Sequence, residues 1–154
     1  MEKFAAIVLS AGTGSRMKSD IPKQYMDLNG KPVIYYSLKA FEDSDVDSIV
    51  LVTGRDDIEY CRKEIVEKYG FTKVRAIIAG GAERYDSVFE GLKAVKDCDY
   101  VMIHDGARPM LNQDIIKRSW RGAVEYKACV AGMPVKDTIR VVADDGTAIS
   151  TPDR

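Results

Sequence analysis

Two cations follow a glycine turn early in the chain, and that pattern suits phosphate chemistry. Arg16 and Lys23 come just after Ser10-Ala11-Gly12-Thr13-Gly14. Glycines let the backbone take positive φ and bring its N–H groups close to a ligand. Successive N–H groups in such a turn form an anion-binding concavity. An arginine can grip a phosphate through two parallel hydrogen bonds, while a lysine supplies a movable point charge. Together they suit a group whose negative charge grows in a transition state. Two commoner phosphate motifs are excluded. The G-x-x-x-x-G-K-[ST] spacing is absent, and Met17 stands where a dinucleotide-binding fingerprint needs its third glycine.

Three further polar blocks carry chemistry-bearing side chains: Gly80-Gly81-Ala82-Glu83-Arg84-Tyr85-Asp86-Ser87, His104-Asp105-Gly106-Ala107-Arg108-Pro109, and Pro134-Val135-Lys136-Asp137-Thr138. Ser87 can donate or accept a hydrogen bond, and serine is also a preferred helix cap. Asp105, by residue type, suits a turn cap before Gly106. His104, the single histidine, stands at a strand end and is read as structural rather than as a base.

These blocks need elements to position them. Phe4 to Leu9 is a continuous apolar run, the pattern of a fully buried strand. Further strands are predicted over 48–53, 74–79, 100–103 and 128–135. Helices are predicted between them. One starts at Lys31-Pro32, with Pro32 in its first turn, and buries Ile34, Leu38 and Phe41. Another is capped by Asp56 or Asp57, carries the stripe Ile58, Cys61, Ile65 and Tyr69, and stops at Gly70. A third covers 83–96 with Val88, Leu92 and Val95 inward, and a fourth covers 112–127. Alternation around Asp145-Gly146 predicts a β-hairpin within a polar arm, residues 134–150. The whole is one domain over 1–154: α/β and doubly wound, with a mainly parallel Rossmann-like sheet and a protruding β-hairpin arm. In such sheets ligands bind outside the carboxyl ends of the strands. The polar blocks fall at those ends, at residues 10–23, 54–56, 80–87, 104–109 and 134–138.

Composition narrows the partners. With 45% apolar and 31% charged residues, the chain is ordinary globular material rather than disordered or collagen-like. A net charge of −1 is no footprint for nucleic acid. No apolar run approaches the roughly 20 residues that span a bilayer, and the N-terminus has no signal-peptide pattern. Cys61, Cys98 and Cys129 are odd in number and widely spaced. They form no metal spacing and no disulfide framework, so packed, reduced thiols and a cytoplasmic location are expected.

Taken in order, Ala11-Gly12-x-Gly14-x-Arg16-Met17 with Pro22-Lys23-Gln24-Tyr25 and the three later blocks resemble the sugar-phosphate nucleotidyltransferases. Within them they resemble the 2-C-methyl-D-erythritol 4-phosphate cytidylyltransferase family of the non-mevalonate isoprenoid pathway. Ser10 and Gly106 stand where that family usually has alanine. The resemblance implies that the backbone of Ala11, Gly12 and Gly14 surrounds the CTP phosphates, while Arg16 and Lys23 stabilise the α-phosphorus. It implies that Gly81, Ala82 and Ser87 contact the cytosine. Asp105 would sit beside the sugar and Mg²⁺, and Arg108, Thr138 and Arg154 would hold the phosphate of a polyol phosphate acceptor. It also implies a homodimer in which the arm crosses to a second subunit. The family continues past the position of Arg154 with further helices, a late strand and another lysine, so the chain is expected to be C-terminally incomplete. Ribitol 5-phosphate cytidylyltransferases share all four blocks, and a non-catalytic nucleotide-binding module is the rival of another class.

Overall fold

The computed structural model describes residues 2–12 and 21–153. The elements in chain order are Phe4–Ser10 (β1), Asp27–Leu28 (β2), Lys31–Pro32 (β3), Val33–Glu42 (α1), Ser48–Thr53 (β4) and Ile58–Tyr60 (α2). There follow Val74–Ala79 (β5), Arg84–Ala94 (α3), Tyr100–Asp105 (β6), Gln113–Tyr126 (α4), Val141–Val142 (β7) and Ala148–Ser150 (β8). All seven residues of β1 are buried, as a run apolar on both faces must be when its strand is central. Its neighbours are β4 on one side and β6 on the other, with β5 outside β4, and every pairing is parallel.

Alternate residues of β1 serve two cores, as a period of two requires. Phe4, Ala6 and Val8 pack with Ile34, Leu38 and Phe41 of α1, with Cys61 and Ile65, and with Ile116 of α4. Ile7 and Leu9 join Val50 and Val52 on the opposite face, beneath Val88 of α3. The chain steps outward from β1 through β4 to β5 and then returns across β1 to β6. That reversal places the ligand crevice at the carboxyl ends of β1 and β6. The predicted doubly wound, mainly parallel sheet with helices on both faces is the observed one.

Local departures have physical reasons. Lys31 and Pro32 form β3 rather than a helical turn, with β2 as partner, and α1 begins one residue later with Pro32 as its N-cap. The helix after β4 opens as a 3-10 turn, Arg55–Asp57, and widens to a π-helical stretch over Cys61–Glu67. Asp57 makes no side-chain cap bond, but Gly70 ends the segment at φ +67° as predicted. On α3 the buried positions are Ser87 and Gly91, and Leu92 is 44% exposed. Gly91 lets the helix axis come close: a Cβ there would lie 2.7 Å from Ile7 Cγ2. The contact stripe therefore runs through the smallest residues instead of through Leu92.

No strand forms over 128–135, and Val130 and Met133 stay exposed. A strand has no hydrogen bonds of its own and exists only by pairing. Here Lys127, at φ +68°, turns the chain back so that Cys129 lies against Gly122 of α4, and the segment does not join β6. Cys129 is exposed rather than packed, while all three thiols are free as predicted. The hairpin around Asp145-Gly146 is present as β7 and β8, with Gly146 at φ +84°. Among the described residues no helix is long and apolar enough to cross a membrane.

Candidate functional site

A cavity of about 370 Å³ opens at the carboxyl ends of β1 and β6. Three loops build it. The end of β1 and the loop after it contribute Ser10, Ala11 and Gly12, the loop after β5 with the first residue of α3 contributes Gly81 to Arg84, and β6 with its following turn contributes Asp105, Ala107 and Arg108. Lys23 and Gln24 close the side beyond Gly12, and Ser87 lies on the wall formed by α3. The loops are stitched to one another. Gly80 N donates to Thr53 O (2.8 Å), and Gly106 N donates to Leu9 O (2.7 Å). A Cβ on Gly80 would meet Ala11 Cβ and Ser87 Oγ, each at 2.6 Å, so only glycine permits that approach.

The wall after β5 is smooth and small. Ser87 is buried, and its hydroxyl accepts from Gly81 N at 3.2 Å. It is not the helix cap that its residue type also suits. Glu83 takes that position, in a capping box with Asp86. Asp86 Oδ2 accepts from the Glu83 N–H at 3.1 Å, and the Glu83 carboxylate accepts from the Asp86 N–H in return. Asp105 is likewise not a turn cap. Its Oδ1 accepts from Arg84 Nε (3.1 Å) and Nη2 (2.9 Å), and its Oδ2 pairs with Arg108 Nη2 at 2.9 Å. Both guanidinium groups are largely exposed. His104 stays out of the cavity: its Nε2 lies 3.1 Å from Arg108 O and 3.4 Å from Ser37 Oγ. Burial pulls its pKa below the ordinary 6.5 against an opposing contribution from the Arg108 carbonyl, in keeping with a structural role.

Of the residues predicted for the site, the cavity brings together Ala11, Gly12, Lys23, Gly81, Ala82, Ser87, Asp105 and Arg108. Gly14, Arg16 and Arg154 lie outside the described residues. Thr138 is exposed on the arm and does not line the cavity. The loops at 54–56 and 134–138 do not reach it either. Six lining residues carried no predicted role: Leu9, Ser10, Gln24, Glu83, Arg84 and Ala107. Arg84 stands first in α3, and its side chain reaches Asp105 across the mouth. Gln24 follows Lys23 directly, and its burial has no signal in the sequence beyond its place in Pro22-Lys23-Gln24-Tyr25.

The lining suits an anion. Lys23, Arg84 and Arg108 stand against two carboxylates that are already engaged, those of Glu83 and Asp105. Among the described residues no cluster of three or more metal-ligating side chains exists. Asp105, the one pocket carboxylate not consumed by a helix cap, has both oxygens on guanidinium groups, so it would take a magnesium ion only on releasing one of them, with substrate phosphates completing the shell.

The family model for 2-C-methyl-D-erythritol 4-phosphate cytidylyltransferase matches residues 4–154. The 2-C-methyl-D-erythritol 4-phosphate cytidylyltransferase of Lachnospira eligens is 59% identical over 97% of this chain and 66% of its own length. The same enzyme of Lachnoclostridium phytofermentans is 53% identical over the whole chain and 66% of its length. Among solved structures, 4-diphosphocytidyl-2C-methyl-D-erythritol synthase from Anaerococcus prevotii superposes with a TM-score of 0.84 at 31% identity. That match covers 99% of this chain and 64% of the other. The chain thus spans about two thirds of the length of the relatives it matches.

Proposed function

We propose that this chain, which belongs to the 2-C-methyl-D-erythritol 4-phosphate cytidylyltransferase family, transfers CMP from CTP to 2-C-methyl-D-erythritol 4-phosphate and releases pyrophosphate. One observation carries the reading. A single cavity joins Lys23, the small wall of Gly81, Ala82 and Ser87, and the Asp105–Arg108 pair, from three separate loops. Small residues with one buried hydroxyl suit a pyrimidine base, which needs close approach and few directional bonds. Backbone N–H groups after β1 suit the triphosphate. The attacking group is a phosphate oxygen of the acceptor, and the bond broken joins the α- and β-phosphates. Such a transfer asks little covalent chemistry of the protein and much positioning and charge stabilisation.

Lys23, with Arg16, stabilises the charge that grows at the α-phosphorus. Arg108 is released from Asp105 to hold the acceptor phosphate, assisted by Thr138 and Arg154. Thr138 acts from the arm of a second copy, because in its own chain it stands clear of the cavity. The exposed apolar side chains of the arm, Val141, Val142 and Ile149, support a homodimer formed there. Asp105, together with the nucleotide phosphates, would hold a Mg²⁺ ion, which would supply charge neutralisation. The three free thiols agree with work in the cytoplasm.

A coupled pyrophosphate assay with CTP and each acceptor tests this. Release with 2-C-methyl-D-erythritol 4-phosphate is expected. Turnover of ribitol 5-phosphate alone would replace the acceptor, and CTP binding without release would favour the non-catalytic module. Lys23→Ala is expected to lower kcat by about 10²–10³ with little change in KM. Unchanged turnover removes Lys23 from the mechanism.

A further inference from the structure

Lys23 is exposed and reaches the cavity from a three-residue 3-10 turn, Lys23–Tyr25, so its aim depends on what holds that turn. The turn's own bonds are few: Tyr25 N donates to Pro22 O at 2.9 Å and Met26 N to Lys23 O at 3.3 Å. The two side chains after Lys23 supply the rest. Gln24 is 4% exposed, and its amide nitrogen donates to Ser10 O at 2.8 Å and to Gly12 O at 3.0 Å. The Tyr25 hydroxyl lies 2.6 Å from Thr53 Oγ1 and 3.2 Å from Cys61 Sγ, and its ring meets Tyr60 edge-on. Gln24 therefore ties the turn to the end of β1 and its phosphate-facing loop, and Tyr25 ties it to the end of β4.

We propose that Gln24, backed by Tyr25, is a positioning residue that sets Lys23 against the loop after β1. The proposal rests on reading the cavity as the CTP site. In a trans peptide the N–H of one residue points opposite to the carbonyl before it. By holding the Ser10 carbonyl, Gln24 directs the Ala11 N–H away from itself and leaves it for an anion. The same amide fixes the separation between that loop and the turn that carries Lys23. One buried side chain thus orients a loop donor and spaces the lysine from it. The Tyr25 anchor is deep enough that burial raises its pKa well above the ordinary 10.0, with the Cys61 hydrogen bond adding to the rise, so the hydroxyl stays protonated and able to donate across the working pH range.

The discriminating variant is Gln24→Met, which keeps length and volume and removes the donor. Amide hydrogen exchange of the nucleotide-free protein over residues 21–26 is expected to accelerate while β6 and α4 keep their rates. In the pyrophosphate assay kcat is expected to fall about 10²-fold with KM for CTP within about threefold, the signature of a lysine displaced rather than a pocket lost. Tyr25→Phe removes only a hydroxyl and is the milder second variant, with an expected loss in kcat of about 10-fold. Unchanged exchange over residues 21–26 in Gln24→Met overturns the assignment, whatever the cavity binds. So does a rise in KM with kcat intact. Wild-type protein that releases no pyrophosphate, while Gln24→Met accelerates exchange as expected, would sink the proposed function and leave the positioning role standing.

Discussion

The strand β1 and the β7–β8 hairpin are both apolar stretches bounded by polar turns, and their fates are opposite. Every residue of β1 is buried, whereas every residue of β7 and β8 is exposed. The chemistry of the side chains does not separate them: Ile7 and Ile149 are the same residue. What differs is partners. The first strand has a strand on either side and helices on both faces, while the hairpin has only its own turn. Hydrophobic stabilisation is proportional to area removed from water, so the first region carries the fold and the second carries almost none of it. The site follows the same division, because all of its described lining comes from residues up to Arg108.

A matched pair of isoleucines tests the division most severely. Ile49 in β4 is 0% exposed and Ile149 in β8 is 66% exposed. Ile49→Ala is expected to cost about 2–5 kcal/mol, since transfer and cavity penalties add in a close-packed core. Ile149→Ala is expected to stay within about 0.5 kcal/mol. Thermal unfolding at low micromolar protein reads both. Equal shifts at that concentration would erase the contrast, while an Ile149→Ala shift that grows with protein concentration is the result that the proposed arm-mediated homodimer requires.

The sequence told these regions apart only in part. The strands at 48–53 and 74–79 were legible to the residue, because each is a mainly apolar, β-branched run closed by a glycine, although the edge strand β5 is only half-buried and carries an exposed Arg75. The run at 128–135 has the same signature and forms no strand, because periodicity reports what a segment could bury and not whether an edge receives it. On α3 the expected stripe holds at Val88 and Val95, which pack against the sheet, and fails at Leu92, because Gly91 brings the helix too close for a large inward residue there. At the site, the glycine turn and Lys23 were legible as residue types suited to an anion, and one cavity is lined by them together with Ser87 and Asp105. The Arg84–Asp105–Arg108 arrangement was not, since ion pairs between separate loops leave no spacing pattern in the chain.

Two glycines sharpen the contrast at the level of the backbone. Gly80 sits where two site loops touch, and a Cβ there would meet Ala11 and Ser87 at 2.6 Å. Gly132 has nothing within 4 Å of the same added atom. Gly80→Ala is expected to cost about 1–3 kcal/mol as overpacking, and to raise KM for CTP because Ala11 and Ser87 both line the cavity. Gly132→Ala is expected to be neutral or slightly stabilising, by up to about 1 kcal/mol, through a less flexible unfolded chain. Denaturant midpoints of the two variants, with KM for the first, decide it. A neutral Gly80→Ala would mean the loops are looser than their contact implies.

The smallest effect comes from two carboxylates. Burial pushes the Glu42 carboxyl up, but hydrogen bonds from the Thr72 hydroxyl and from the backbone N–H groups of Lys73 and Thr72 outweigh it and hold the pKa below 4.5. Asp145 is also held below its ordinary value, chiefly by the Thr147 backbone N–H. Both carboxylates are favoured in ionised form by the fold, so each contributes stability above its unfolded pKa and loses it as pH falls through the lower folded value. They differ in what they join. Glu42 links the end of α1 to the approach to β5, thirty residues on, so its bonds open only when the core does. Asp145 bonds two residues along the chain, inside a hairpin that unfolds without the core. Glu42→Gln is therefore expected to flatten the fall in Tm as pH drops below about 4.5, by less than about 1 kcal/mol. Asp145→Asn is expected to leave the global Tm unchanged at every pH and to alter only amide exchange at Thr147. A global acid response to Asp145→Asn would show that the arm is coupled to the core after all.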